Sequence, residues 1–309
     1  MARYIIKRFI TGIIALLFLT FLTFAMAHQM PGNPFDTGNI PDSVLERIKE
    51  DYGLNEPLAV QYTAYMKNLI RGNMGMSMKK PGVTVNAIIA RSFPVTMRLG
   101  IQTFLVSLVL GTLLGISQIM TRSLSVNRMI RVIQSVGIGI PNFVYALLFM
   151  LIFGVQLNWF PIAGISTAAN YVLPTAALCV YPICVISRMV CSIVQKEFTQ
   201  EYVTFLKAKG MGKAMITVKH MWRPMLSRLL VYLGQLLVYL VTGCFAVESI
   251  FTIPGLGREF VTSIGNRDYT VIMGLTVFMG VVVIVTQIIL DVMQMYLDPR
   301  IRFGMEQNR

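Results

Sequence analysis

The chain has 309 residues, of which 55% are hydrophobic and only 13% charged. The mean hydropathy is +0.65, and a charged share about half that of soluble domains excludes an ordinary soluble protein in favour of a polytopic membrane protein. The net charge of +13 is spread between apolar runs, so it reads as topology signalling rather than a nucleic-acid footprint. Cys179, Cys184, Cys191 and Cys244 all fall in apolar runs without a CxxC pair, and His28 and His220 are too few and too far apart for a metal site. Small core cysteines are expected, with neither a disulfide framework nor a metal centre.

A membrane span needs about 20 apolar residues. Arg3, Lys7 and Arg8 precede the uncharged run Phe9–Ala27, the first span, which has no small-x-small cleavage site. Pro31-Gly32-Asn33-Pro34 ends it. A polar segment follows to about Pro94, too polar to span and too long for a simple turn. Within it Ser43 and Glu46 fit a capping box before a helix to Tyr52, and Pro57 starts a second helix running to about Ile70. The second span is Leu99–Met120, and Arg122, Arg128 and Arg131 mark the loop after it. No charge occurs over the 56 residues 132–187, enough for two spans and an outer loop around Trp159-Phe160-Pro161. The fourth span, about Tyr171–Val194, carries Pro174 and Pro182. The fifth is Leu229–Val247, and an external re-entry over Glu248–Asp268 centres on Pro254-Gly255-Leu256-Gly257. The sixth begins at Tyr269 and ends near Tyr296.

Between the fourth and fifth spans lies a soluble-looking insert, Glu197–Pro224. Eight basic residues lie from Arg188 to Arg228, against two acids, Glu197 and Glu201. Tyr202, Val203, Phe205 and Leu206 suggest a short helix. Gly210 suits the left-handed position just past its end, with Lys207 and Lys209 in the last turn, where cations favour the helix dipole. Ala214, Ile216, Val218 and Met221 suggest a second helix. A charged loop that only anchors topology fits the same residues. Of the 27 Lys and Arg, 17 fall on the side of the termini and this insert, which places that side in the cytosol.

No catalytic constellation is present. Gly212-Lys213 fails as a phosphate loop because Ala214 stands at the Ser/Thr position and Lys207 at the first Gly. Gly137 and Gly139 fail as a dinucleotide fingerprint because Asn142 replaces the third Gly. Intramembrane ionisable groups are candidate pathway or gating residues: Asp291, Glu248 and Arg188. Asp291 and Arg188 also read as buried partners or interfacial groups, and Glu248 as merely external. The 21 methionines fit adaptable packing or a pathway accepting varied side chains.

Ordered landmarks run along nearly the whole chain: Pro31-Gly-Asn-Pro34, Leu54–Tyr62, Gly72–Ser77, Ile140-Pro-Asn-Phe143, Trp159-Phe-Pro161, Leu173-Pro174, Glu201-Tyr-Val203, Lys207-Ala-Lys-Gly210, Val247–Phe251, Pro254-Gly-Leu-Gly257, Arg267-Asp-Tyr269 and Leu297-Asp-Pro-Arg300. In these the chain resembles the B-type permease of binding-protein-dependent ABC importers of the dipeptide/oligopeptide/nickel group. The resemblance implies an all-α polytopic membrane protein with six transmembrane helices, the type I ABC importer permease fold and a small external helical insert. It divides the chain into 1–30 with the first helix, 31–95 as the insert, 96–296 as a five-helix core containing the coupling loop 196–228, and 297–309 as a cytosolic tail. In that family the loop after the fourth span carries Glu-Ala-Ala followed three residues later by Gly. Gly210 matches the glycine, while Thr204, Phe205 and Leu206 stand at the Glu-Ala-Ala positions, larger and more apolar than usual. The implied ATPase-coupling residues are Glu201, Thr204, Phe205, Leu206, Ala208, Lys209, Gly210 and Met211. External docking falls to Pro31, Gly32, Pro34, Pro254, Gly255 and Gly257.

The implied function is ATP-driven import of short peptides, with nickel or metal-chelate import and a stand-alone secondary transporter as alternatives. Segment Phe260–Gly274 looks most like the oligopeptide members. The chain itself is then no enzyme and holds no cofactor, ATP and magnesium being bound by partners. The implied partners are a homologous second permease, two ATP-binding cassette subunits, an extracellular or periplasmic substrate-binding protein and membrane lipid, with no nucleic acid. The implied location is the bacterial inner membrane, multi-pass, with cytosolic termini. Cysteines introduced at Asn55 and Gly212 should react with an impermeant thiol reagent from opposite sides of the membrane; labelling from the same side would overturn this topology.

Overall fold

The computed structural model describes residues 2–29, 55–242 and 244–297. The helix expected at Ser43–Tyr52 lies outside them. Every regular element among the described residues is helical. In order they are α1 (Ala2–Gln29), α2 (Leu58–Ile70), α3 (Val85–Met120), α4 (Leu124–Gly139) and α5 (Asn142–Phe149, prolonged by a π-helical stretch Met150–Gln156). Then come α6 (Val172–Glu197), α7 (Glu201–Ala208), α8 (Lys213–Met215, prolonged by Ile216–His220), α9 (Trp222–Val241), α10 (Phe245–Ile250), α11 (Leu256–Asn266) and α12 (Tyr269–Leu297). Five helical segments are long and apolar enough to cross a membrane, and α4 with α5 makes a sixth if the bent pair is one span.

The second and third spans differ from the sequence expectation, each with a physical cause. The second span begins at Val85 rather than Leu99 and runs through Pro94. Thr84 Oγ1 accepts from Ala87 N at 3.2 Å, and Val85, Ile88 and Ile89 are buried at once, which offsets the amide that proline removes. The third span is broken: α4 and α5 meet at 101°. Pro141 bars its predecessor from helical geometry, and Ile140 accordingly sits at φ −95°, ψ 129°. The fifth candidate span covers Trp222–Ile250, within which α9 stops at Val241 and the chain resumes as α10, carrying Val247 and Glu248.

The chain divides into two compact units. The first comprises residues 1–96 and 254–285. Here α1 meets α12 through glycines. A Cβ on Gly12 would stand 2.7 Å from Ile284, and one on Gly280 2.7 Å from Leu19, so the backbones approach as small residues allow in lipid. Phe24 and Ala27 of α1 pack with Met273 and with Tyr62 and Tyr65 of α2, which seats the expected external helix on the end of the first span. Asp268 ties the turn before α12. Its buried carboxylate accepts from Ser77 Oγ, from Met78 N at 3.1 Å and from Val271 N at 3.3 Å, so it caps α12 and holds the loop after α2 together. Leu256 N donates to Thr96 Oγ1 at 2.9 Å, fixing the first turn of α11.

The second unit comprises residues 97–253 and 286–309. The crossing of α3 and α6 uses Gly111 and Gly115, a small-xxx-small pair. A Cβ on Gly111 would lie 2.8 Å from Ile186 Cβ, and one on Gly115 2.7 Å from the Ser187 carbonyl oxygen. Beside them Gln134 of α4 donates to Gln118 Oε1 at 2.9 Å and to Ser187 Oγ at 2.8 Å, all buried. This joins α3, α4 and α6 by polar contacts where unpaired groups would be costly. The apolar core continues from Ile186, Val190 and Val194 of α6 through Val203, Ile216 and Met221 to Leu229, Leu233, Leu236 and Leu240 of α9. All four cysteines are free and buried.

Gly115→Ala should lower the thermal unfolding midpoint of the purified chain in detergent, because its methyl group meets backbone; overpacking costs about 1–3 kcal/mol. The same change at Gly265 in α11 meets nothing within 4 Å and should leave the midpoint unchanged or higher. Equal effects at both positions would contradict the close crossing.

Candidate functional site

Between α6 and α9 the chain leaves the bundle and returns, and the turn geometry there is closely fixed. Gln200, in extended geometry at φ −78°, ψ 149°, precedes α7. At the other end Gly210 takes φ +79°, the left-handed region. Gly210 N donates to Lys207 O at 2.9 Å, and Met211 N to Leu206 O at 3.2 Å. This is the paired pattern of a Schellman stop, and Leu206 and Met211 pack together against the same core. Val203 is fully buried between them and the bundle. Outside the membrane each such burial stabilises by about 1.5–3 kcal/mol.

A carboxylate fixes the other side. Glu197 ends α6 and is only 4% exposed. Its Oε1 pairs with Arg228 of α9 at 2.7 Å, and its Oε2 accepts from Tyr202 OH of α7 at 2.8 Å. Burial first, then the hydrogen bond and charge of Glu197, push the Tyr202 phenol from 10 up to about 12. The phenol therefore stays protonated and donating at neutral pH. Its raised pKa contributes stability below about pH 10 that is lost as pH rises through about 12. Lys213 Nζ donates to the Ile119 carbonyl at 2.6 Å, joining the loop to the end of α3. Three helices thus hold a loop whose charges alone read as a topology signal.

The outward face of α7 carries Glu201, Tyr202, Thr204, Phe205 and Ala208, and Lys209 follows at its end, all exposed. Phe205 is 58% exposed, and Lys209 Nζ stands 4.4 Å from its ring centroid. Such an exposed aromatic beside a cation fits a protein contact. Of the residues at the Glu-Ala-Ala positions, Thr204 and Phe205 point outward. Leu206 and Met211, both half-buried, pack against the chain's own core and anchor α7 to it.

A cavity of about 490 Å³ opens in the same unit where the third span breaks. Ile140, Pro141 and Asn142 at the bend face Tyr181 and Pro182 of α6 and Tyr232, Gln235 and Tyr239 of α9. Asn142 Nδ2 donates to Tyr239 OH at 3.4 Å. The lining carries hydroxyl and amide groups on an apolar wall and no charge. Arg188, Glu248 and Asp291 are absent from it. Arg188 is exposed on α6 and donates to Ser135 Oγ at 3.1 Å. Glu248 is fully buried in α10, and Asp291 is half-buried on α12. Pro31, Gly32 and Pro34 lie outside the described residues. Gly255 and Gly257 are buried and Pro254 half-buried, at the turn that opens α11.

The sequence reading passed over Glu197, Arg228 and the tyrosines of the cavity. Glu197 carried a signal, an acid at the junction of an apolar run and a basic loop. The tyrosines carried none, since aromatic residues in a span read as packing.

The family described as binding-protein-dependent transport system inner membrane component matches residues 107–303, and its N-terminal companion matches residues 1–100. The dipeptide transport system permease protein DppB of Bacillus subtilis is 39% identical over 98% of this chain and 98% of its own length. The oligopeptide transport system permease protein OppB of Haemophilus influenzae is 33% identical over 98% of this chain and all of its own. In three dimensions an inward-facing structure of the MetNI methionine ABC transporter aligns with a TM-score of 0.57 at 19% identity, covering 68% of this chain and 96% of that one. That likeness establishes the type I ABC importer permease fold. On the matches along both parts of its sequence, the chain belongs to the family of binding-protein-dependent transport system inner membrane components.

Proposed function

We propose that the chain is the transmembrane permease subunit of an ATP-driven importer of short peptides and forms half of its translocation pathway. The observation that carries this reading is α7. It is a short helix held to α6 and α9 through Glu197, closed by the turn at Gly210, and offering Thr204, Phe205, Ala208 and Lys209 outward. A chain without a nucleotide motif receives work only by contact with a partner that interacts differently with its two states. In this reading two ATP-binding cassette subunits, which hold ATP and magnesium, grip α7, and its displacement moves α6 and α9 as rigid bodies. A homologous permease completes the pathway, a substrate-binding protein delivers cargo from outside, and the loop and both termini are cytosolic.

The names of the dipeptide and oligopeptide relatives support peptides over nickel or metal chelates. The cavity at the bent span supports the same choice. Uncharged hydroxyls and amides suit the peptide backbone, which every peptide shares, and leave side chains unselected. In this reading the cavity displaces Arg188, Glu248 and Asp291 as the pathway candidate.

Two substitutions test the coupling role in cells and in the purified assembly. Gly210→Val meets no atom but places a β-branched residue in left-handed geometry. It should abolish labelled-peptide uptake while the chain still inserts. Phe205→Asp should weaken co-purification of the ATPase subunits by about tenfold, the loss of one interface anchor. Normal ATP-driven uptake with Gly210→Val would sink the turn account, and unchanged co-purification with Phe205→Asp would remove Phe205 from the interface.

A further inference from the structure

A second cavity, about 570 Å³, opens beside the coupling loop. The end of α3, the first turns of α4 and the loop residues Phe198, Lys207 and Lys213 form its walls. Arg131, Lys207 and Lys213 line it and no carboxylate does. None of the three makes a salt bridge among the described residues. The cations are gathered by the fold itself. Phe198 holds the ammonium groups of Lys207 and Lys213 at 5.5 and 5.6 Å from its ring centroid, and Lys213 is further pinned to the Ile119 carbonyl. Like charges held together repel, and a bound anion offsets that repulsion. The remaining wall combines the amides of Asn127 and Gln195, whose NH2 groups donate to Thr121 O, Ser123 O and Cys191 Sγ, with the apolar Ile119 and Leu124. Such a mixture fits a phosphate group attached to an apolar body. Basic pockets between helices at a membrane surface take lipid headgroups.

We propose that this cavity binds a phosphate group, either the headgroup of an anionic phospholipid or a free phosphate ester, and that its occupant braces the coupling helix against α3 and α4. The site is independent of what the permease carries, and its test reads binding rather than uptake.

The test uses the full chain purified in a neutral detergent and titrated with short-chain phosphatidylglycerol, phosphatidylcholine of equal chain length, and glycerol 3-phosphate, followed by native mass spectrometry. Saturable binding of phosphatidylglycerol but not phosphatidylcholine is expected. The pair Arg131→Gln with Lys207→Gln should weaken it by about tenfold or more, and the pair Lys219→Gln with Arg223→Gln, which removes equal charge from positions outside the cavity, by less than about twofold. Glycerol 3-phosphate binding as tightly, with the same dependence on the variants, would support the site with a free phosphate ester as occupant. Weaker glycerol 3-phosphate would support it with the lipid. Absence of saturable anion binding, or equal weakening by both pairs of substitutions, would overturn it.

Discussion

The arrangement rests on one buried carboxylate. Glu197 stands where α6 leaves the bundle, and its two oxygens reach different helices, Arg228 of α9 and Tyr202 of α7. A carboxylate this deeply buried requires partners, since an unpaired charge there would be strongly destabilising. Arg228 is half-exposed, so solvent screens the pair and its contribution to stability is modest. Its consequence is geometric. Moving α7 against α6 would break the Tyr202 contact, and moving α6 against α9 would break the Arg228 contact, so the three helices respond together. The Schellman stop at Gly210 supplies the opposite constraint by returning Met211 to the same apolar core as Leu206.

Rigid transmission is useful only if the bundle behind it holds its shape in lipid, where apolar burial gives little drive. The α3–α6 crossing meets that need with Gly111 and Gly115 at near backbone contact, and Gln134 adds polar ties across α3, α4 and α6. The break at Ile140-Pro141 does the reverse. It interrupts the third span and opens a cavity lined by side chains of α6 and α9, the two helices to which Glu197 links α7. A push on α7 would therefore reach the cavity walls through α6 and α9.

The sequence made some of this legible, and the reason differs by residue. Gly210 was readable because few residues tolerate positive φ, and apolar spacing before it marked a helix. The six crossings were readable from charge-free lengths. The bend was not, because a charge-free run has the same composition straight or broken, although Pro141 restricts Ile140 locally. Pro94 misled in the opposite sense: burial of Val85, Ile88 and Ile89 carries the helix through it. Glu248 read as a pathway candidate or an external group, and its complete burial in α10 was not visible in composition. Glu197 needed Arg228, far along the chain, before its role could be seen. The exposure of Phe205 and the inward turn of Leu206 both follow from the helix phase set by Val203, which spacing alone leaves open.

The central claim is that Glu197 makes α6, α7 and α9 one mechanical body. It is tested most directly by the number of peptides imported per ATP hydrolysed in an assembly carrying Glu197→Gln, reconstituted with its partners. The substitution keeps an acceptor for Tyr202 but removes the charge that holds Arg228. The account predicts assembly and continued ATP hydrolysis with a ratio lowered by about tenfold, the scale set by a charge-assisted hydrogen bond. A wild-type ratio in that assembly would contradict it.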